Sequence, residues 1–558
     1  LLLRLRAGLA SWRLRLLPYG LVSDPSRSRF VLMISPIRSS FHLLLRSSVA
    51  TGAAVLVAAV LLVVASGCDN MLDIEPQGEQ TSANFFRTAD DANRALAGAY
   101  DAIQQQKRAT YQGAPEFLAG YDLVFGEVAS DNAFKGGESQ NDQPDIDDVQ
   151  TFTVDPNNLY IAKMWSSLYE AITRSNRLLN RVPDIEMDEG EKQQILAETR
   201  FIRAYSYFYL LQAFGMEPGT NNGPGIVLID GAVTIGDANQ PRSPEPAVWE
   251  QIETDLQAAI DVLPTKSERP PSEYGRATRG AAQALLVKAY IFQNNFGPAE
   301  TLAQTIITSG EYTLEPDFAS IFRTSGEHGS GSIFEINYAT LPNQLEGYFG
   351  NVYQASRSTW GFGFKNPTQD LVDAFDSNDP RLEATVIFDG EVMPDGTVVD
   401  GGTSRSGYHN EKIWIPQAEY PQNNGQGIFA GPSNVRYIRL ANVLLWHAEA
   451  ANENGNTPAA LASLNAVRER ARNNADNPAG VLPDITTTDQ DELREAIYRE
   501  RRVELAMEDL RFFDLVRQGR AADALGSAGF VAGVHERMPI PQREIDLSEG
   551  LLEQNAGY

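Results

Sequence analysis

From about residue 83 onward, apolar positions recur at helical rather than alternating spacing. "TADDANRALAGAYDAIQQQ" opens on Thr88, a plausible N-cap followed by acids in the first turn. "MWSSLYEAITRSNRLLNRV" puts Trp165, Tyr169, Ile172, Asn176 and Leu179 on one helical face. "ILAETRFIRAYSYFYLLQAFG" predicts another helix ending at Gly215, and "VWEQIETDLQAAIDVLP" one that stops at Pro264.

Two stretches read as helix pairs: "AAQALLVKAYIFQNNFGPAETLAQTII", turning around Asn295 to Pro298, and "RLANVLLWHAEAANENGNTPAALASLNAVRERA", turning at Asn454 to Thr457. Leu286, Tyr290 and Ala299 hold the offsets that a tetratricopeptide repeat uses between its helices. Ala284, Ala289, Ala448 and Ala460 permit close approach, and the apolar face each pair leaves is covered by stacking on a neighbour. Near the C-terminus, "ERRVELAMEDLRFFDLVR" reads as one helix from Glu500 to Arg517. Val503, Met507, Leu510 and Phe513 form one apolar stripe, and Leu505, Phe512 and Val516 a second. Glu500, Glu504 and Glu508 are squeezed between them, where a charge is costly unless its partner is buried with it. Glu504 and Glu508 are therefore expected to pair with Arg511, or with arginines of other helices such as Arg439 or Arg468.

The pattern loosens in two places. Residues 107–160 are mixed, with Gly113, Gly120, Gly126, Gly136 and Gly137 and an acidic run from Asp142 to Asp148, and residues 311–435 are rich in Gly, Asn, Pro and aromatics. Strand-like runs such as "SIFEINYA" and "ATVIFD" lie in the second. The expected fold is mainly α: a tetratricopeptide-like helix-pair scaffold at 83–310 (with 107–160 inserted) and at 436–558, carrying a loop-rich lobe with short strands at 311–435.

Upstream, "SVATGAAVLVAAVLLVVASGCDN" is a short apolar run preceded by Arg38 and Arg46 and ending in small residues before Cys68. It reads as a signal at 1–67 with a lipoprotein-type cleavage site, Cys68 taking the lipid and residues 68–82 forming a tether; a transmembrane helix is the alternative. Met33 would make a conventional start, which leaves residues 1–32 outside the fold.

The chain has 558 residues, 46 basic and 73 acidic, with a net charge of −27. Setting aside residues 1–67, with eight arginines and one acid, leaves 38 basic and 72 acidic groups, a net of −34. That excess of acid disfavours nucleic acid and anionic membranes as partners of the folded surface. Cys68 is the only cysteine, which excludes a disulfide framework and a cysteine metal cluster.

No phosphate loop, HExxH, GxSxG or GxGxxG appears, and the five histidines have no paired spacing. His447, in an apolar helix, reads as a satisfied core residue. The run from Asp142 to Asp148 lacks an EF-hand pattern, and a solvated acidic loop describes it better than a calcium clamp. A glycosidase needs only two carboxylates, so an acidic pair remains open as a rival function. One stretch is neither helical nor alternating: "YFGNVYQASRSTWGFGF" carries Tyr348, Tyr353 and Trp360 among glycines. Such rings suit the CH face of a sugar, and the glycines would let a ligand approach the backbone; the alternative is a core for the irregular lobe.

In order, "CDNMLDIEP", "FFRTADDANRALAGAY", "AETRFIRAYSYFYLLQAFG", "GRATRGAAQALLVKAY", "RYIRLANVLLWHAEA", "LNAVRERA", "ERRVELAMEDLRFFDLVR" and "MPIPQREIDLSEGLLEQNAGY" together resemble the SusD/RagB family of surface lipoproteins. The chain departs from the family's pattern at Asp509-Leu510, where a Gly-containing turn is commoner, and at Ala556. The resemblance implies a non-catalytic protein without cofactor or metal, lipid-anchored and facing outward from the outer membrane. It would bind oligosaccharides and deliver them to a SusC-like TonB-dependent transporter. Peptide binding of the RagB kind, a secreted glycoside-active enzyme and a periplasmic protein adaptor are the rivals. The Glu500–Arg517 stretch is then architectural. Regional matching to the family's "GE..SDN" element and to the aromatic region before "DLVDAF" implies Asp131, Asn132, Phe134, Tyr348, Tyr353 and Trp360 as ligand contacts.

Overall fold

The structure, a computed structural model, describes residues 85–104, 108–111, 114–117, 123–229, 231, 239–339, 347–420 and 431–558. The expected signal, Cys68 and the tether lie outside these residues. Among the described residues no helix is long and apolar enough to cross a membrane.

The first half runs α1 (Ala89–Ile103), β1 (Arg108–Tyr111), β2 (Ala114–Phe117), a π-helical turn (Leu123–Val128), β3 (Ala133–Gly136), α2 (Pro144–Gln150), α3 (Leu159–Arg181), α4 (Glu189–Phe214), α5 (Glu245–Val262), α6 (Arg279–Phe292) and α7 (Phe296–Thr308). Then come β4 (Ser332–Ile336), α8 (Gly350–Gln354), β5 (Phe364–Pro367), α9 (Gln369–Ala374), β6 (Val386–Ile387), β7 (His409–Asn410) and β8 (Val435–Arg439). Helices close the chain: α10 (Leu440–Glu453), α11 (Thr457–Arg472), α12 (Gln490–Glu504), α13 (Arg511–Arg517), α14 (Ala521–Leu525) and α15 (Gln542–Leu547). The protein is mainly helical, as expected, and among the described residues the strands form four separate antiparallel pairs: β1–β2, β3–β5, β4–β8 and β6–β7.

α1 packs on α3 and α4, each helix from α3 to α7 packs on the next, and α7 lies on α10, which holds α11 and α12. α4 is buried almost all round from Ile195 to Phe214, which matches its lack of a polar face. Thr88 caps α1 in a reciprocal capping box with Asp91, and α4 ends at Gly215. The fully buried Ala284, Ala289, Ala448 and Ala460 stand where α6, α7, α10 and α11 approach.

The Glu500–Arg517 stretch is not one helix. α12 ends at Glu504, and Leu505 to Leu510 form a tight turn with Met507 and Asp509 in the left-handed region, at φ 65° and 64°. The stripes expected on a single cylinder therefore belong to two helices and the turn between them. The burial of the charges holds: Glu500 and Glu504 are 2% and 0% exposed. Glu500 accepts from Arg381 (2.5 Å) and Arg468 (2.7 Å), and Glu504 from Arg439 (3.0 Å), Arg470 (2.5 Å) and Arg381 (3.0 Å). Glu508 takes Arg439 and Lys412, each at 2.7 Å. Arg439 and Arg468 are among the partners expected for these glutamates; Arg511 pairs elsewhere, with Asp131. Because Arg381 and Lys412 come from the irregular segment between β5 and β8, the network locks that segment onto the helices.

Candidate functional site

The turn that breaks α12 from α13 is the foundation of the site. Gly126, in the π-helical turn, lies so close to it that an added Cβ would stand 1.9 Å from the Asp509 carbonyl oxygen. Its neighbour Glu127, 0% exposed, accepts from the Met507 and Asp509 amides at 2.9 and 3.0 Å and from Asn132 Nδ2 at 2.9 Å. Burial raises the Glu127 pKa, and the charge of Asp509 adds to that. Lys365, on β5, closes the knot by donating from Nζ to the Met507 carbonyl (2.9 Å) and to Asp509 (2.6 Å).

Asp131 and Asn132 leave this knot toward β3. Asp131 takes a bidentate pair from Arg511, both bonds at 2.8 Å, and lies 3.2 Å from Arg502. Burial pulls its pKa up, but the Arg511 hydrogen bonds and the two guanidinium charges outweigh it, and the carboxyl sits below its usual range. Asn132 is 1% exposed, bonded to Glu127 and to Arg502 Nε (2.9 Å), so its side chain belongs to the frame and does not meet a ligand arriving from solvent.

Phe134 follows on β3, opposite Asn366 of β5. Its half-buried ring carries the Arg405 guanidinium 4.8 Å above it. Asp131 and Phe134 open onto a groove of about 820 Å³, lined also by Gln369, Asp370, Ser406 and Arg502. At its side Tyr408 donates to Gln369 Oε1 at 2.6 Å and packs edge-on against Phe388, 5.4 Å away. Groups with planar, fixed hydrogen-bonding edges thus surround a half-buried ring, an arrangement suited to a polyhydroxylated ligand.

The three rings expected after Phe134 have different settings. Tyr353, 2% exposed, stacks on Phe364 at 4.2 Å, and its hydroxyl meets that of Tyr160 at 3.1 Å. It is part of the main core, and the ligand contact expected of it does not fit that burial. Tyr348, 8% exposed, lies 5.1 Å from the Tyr338 ring and lines a small cavity of about 70 Å³ with Lys365 and Lys412. Trp360 is half-buried, its ring 4.9 Å from Trp414 and 6.0 Å from Tyr420, over a small cluster of Ile387, Met393 and Val399. Gly361 beside it serves chain closure rather than ligand approach: a Cβ there would strike the Ala355 carbonyl oxygen at 1.9 Å.

Sequence reasoning missed Gln369, which lines the groove, and Arg405 and Tyr408, which contact Phe134 and Gln369; none carries a motif, and folding of a loop-rich segment brings them there. His447 is a satisfied core residue, its Nδ1 2.8 Å from the Ser463 hydroxyl. The run expected as an acidic loop forms α2 over Pro144–Gln150 instead, with Pro144 at its first turn and Ile146 and Val149 buried beneath it. Among the described residues no group of three or more His, Cys, Asp or Glu is placed to hold a metal ion.

Two family models match the chain: the SusD family over residues 318–558, and the family described as starch-binding, associating with outer membrane, over residues 75–291. SusD-like protein P2 of Formosa agariphila is 28% identical over 535 residues, covering 89% of this chain and 98% of that one. Among solved structures, a laminarin binding SusD-like protein superposes with a TM-score of 0.71 at 28% identity, over 85% of this chain and 100% of that one. Surface glycan-binding protein A from Bacteroides thetaiotaomicron, in complex with laminarihexaose, does so with a TM-score of 0.68 at 22% identity, over 84% and 99%. Two models that between them span both the helical scaffold and the irregular segment, with relatives matched over nearly their whole length, place this chain in the SusD/RagB family.

Proposed function

We propose that the protein is a cell-surface glycan-binding lipoprotein of the outer membrane, anchored through Cys68, which passes oligosaccharides to a TonB-dependent transporter of the SusC kind. The observation that carries the reading is the groove beside Phe134, in a chain 28% identical to a laminarin binding relative of the same fold. Phe134 supplies the apolar face of the groove in this reading, and Trp360, over its own cluster, a second aromatic surface for an extended ligand. Asp131, held in orientation by Arg511, accepts hydrogen bonds from sugar hydroxyls, while Asn132 and Tyr353 hold the frame and Tyr348 lines a separate small cavity.

The test is calorimetric titration with laminarin oligosaccharides of wild type, Phe134→Ala and Trp360→Ala, with the unfolding midpoint of each measured in parallel. A loss of roughly thirtyfold in affinity at little-changed stability supports the site. Unchanged affinity in both variants refutes it, and release of reducing ends by the wild type would favour the enzyme. The anchor is tested separately: palmitate labelling of wild type and not of Cys68→Ala is expected, and equal labelling overturns it.

A further inference from the structure

A second cleft, of about 440 Å³, opens where α1 faces the turn before α6 and the end of β4. None of the six residues expected as ligand contacts lines it. Its rim carries Tyr274, 37% exposed, on the turn that follows Pro270 and Pro271. One side of that ring is backed by His328, with centroids 5.4 Å apart. Gly275, at φ 96°, allows the Asn337 side chain to lie directly across the backbone, for a Cβ at residue 275 would stand 2.2 Å from Asn337 Nδ2. That nitrogen donates to the Tyr274 carbonyl at 2.7 Å. Asn337 Oδ1 is buried on the side of the His328 ring, so Asn337 belongs to the frame that fixes Tyr274 at the rim.

The rest of the lining narrows the ligand class. Its charges are matched within the protein: Asp101 with Arg174 at 2.9 Å, and Arg276 with buried Glu198 at 2.9 Å. Glu335, also in the lining, is buried and held by neutral donors, the His328 amide at 2.8 Å and Asn434 Nδ2 at 3.1 Å. Gln104 is fixed by its bond to the Asn337 carbonyl (2.7 Å), and Leu96 and Ile336 give the floor an apolar surface. An exposed ring, fixed amide and guanidinium edges and an apolar floor suit a group that is neutral, with hydroxyls that both donate and accept.

We propose that this cleft is a second saccharide subsite, taking a short stretch of a neutral glycan with a sugar face on Tyr274 and hydroxyls along the polar edges of Gln104 and Arg276. The proposal extends the glycan-binding reading to a different part of the molecule and rests on that reading for its ligand class. Two subsites on one chain would let a polymer engage both at once, raising avidity without either being tight.

Hydrogen–deuterium exchange of the folded chain with laminarihexaose tests it, in wild type, Tyr274→Ala, Asn337→Ala and the double variant Phe134→Ala/Trp360→Ala. Protection of residues 271–278 and 332–339 is expected to persist in the double variant. In Tyr274→Ala it should need roughly thirtyfold more ligand, while protection of residues 131–136 is unchanged. Asn337→Ala, which frees the turn that positions the Tyr274 ring, should weaken the same protection. Protection at 131–136 alone overturns the second subsite and leaves the first standing. Protection at 271–278 alone supports the cleft and removes the groove. Protection at neither segment overturns both, and protection of the cleft by a mixed peptide pool but not by the sugar overturns the ligand class.

Discussion

At the scale of single residues, the chain buries charge in closed sets, and the consequence of opening one is predictable. Glu504 is surrounded by Arg439, Arg470 and Arg381, which hold its carboxyl far below the usual range in spite of burial. Glu504→Ala leaves the buried Arg470 without its carboxylate, while Arg381 keeps Glu500 and Arg439 keeps Glu508, and a loss of about 3–5 kcal/mol is expected in urea unfolding. A change below about 1 kcal/mol would mean that water already reaches the cluster. His409, 1% exposed on β7, differs because burial pushes its pKa down to about 4. The unfolded chain then binds a proton near pH 6.5 that the folded one refuses, so stability is lost as pH falls from about 6.5 to 4. His409→Gln should remove up to about 3 kcal/mol of that acid sensitivity, read as the difference between the two stability–pH profiles.

At the scale of elements, the π-helical turn and the turn between α12 and α13 are built against each other. Gly126 has no room for a methyl group, since the obstacle is the backbone of Asp509 rather than a movable side chain. Gly126→Ala is expected to cost at least about 1–3 kcal/mol and to lower the unfolding midpoint. A normal midpoint would show that the two turns separate freely. Asp509 holds a left-handed conformation while its carboxylate pairs with Lys365, which is 1% exposed. Asp509→Gly relieves the backbone by about 1–2 kcal/mol but strands the lysine, so a net loss of stability is expected. A stabilised glycine variant would mean that the pair contributes little.

At the scale of the molecule, charge is unevenly managed. The buried pairs are matched, so the net of −34 on residues 68–558 resides mostly on the surface, where carboxylates repel through water. The unfolding midpoint should therefore rise as sodium chloride increases from about 0.01 M to 1 M, over which the screening length falls from about 30 Å to 3 Å. A flat or falling midpoint removes this account. The tight internal network should contribute little to that salt dependence, because buried pairs are poorly screened.

The sequence by itself determined the helices and their pairing, because a 3.6-residue apolar period, caps such as Thr88 and stops such as Pro264 are local signals that survive in any context. It also determined that Glu500, Glu504 and Glu508 are buried with partners, since they are flanked by apolar residues on both sides. It could not show that the stretch breaks at Leu505. Only the docking of Gly126 and Glu127, some 380 positions away, makes two left-handed residues favourable there. The same holds for the site. Trp360 was legible as an unusual aromatic among polar neighbours and Phe134 came only from the family resemblance, whereas the burial of Tyr353 against Phe364 and Tyr160, and the arrival of Arg405 over Phe134, depend on contacts between segments far apart in the chain. Periodicity records which side of an element is buried. It does not record which loop arrives to cover it, and that was decided by the tertiary structure.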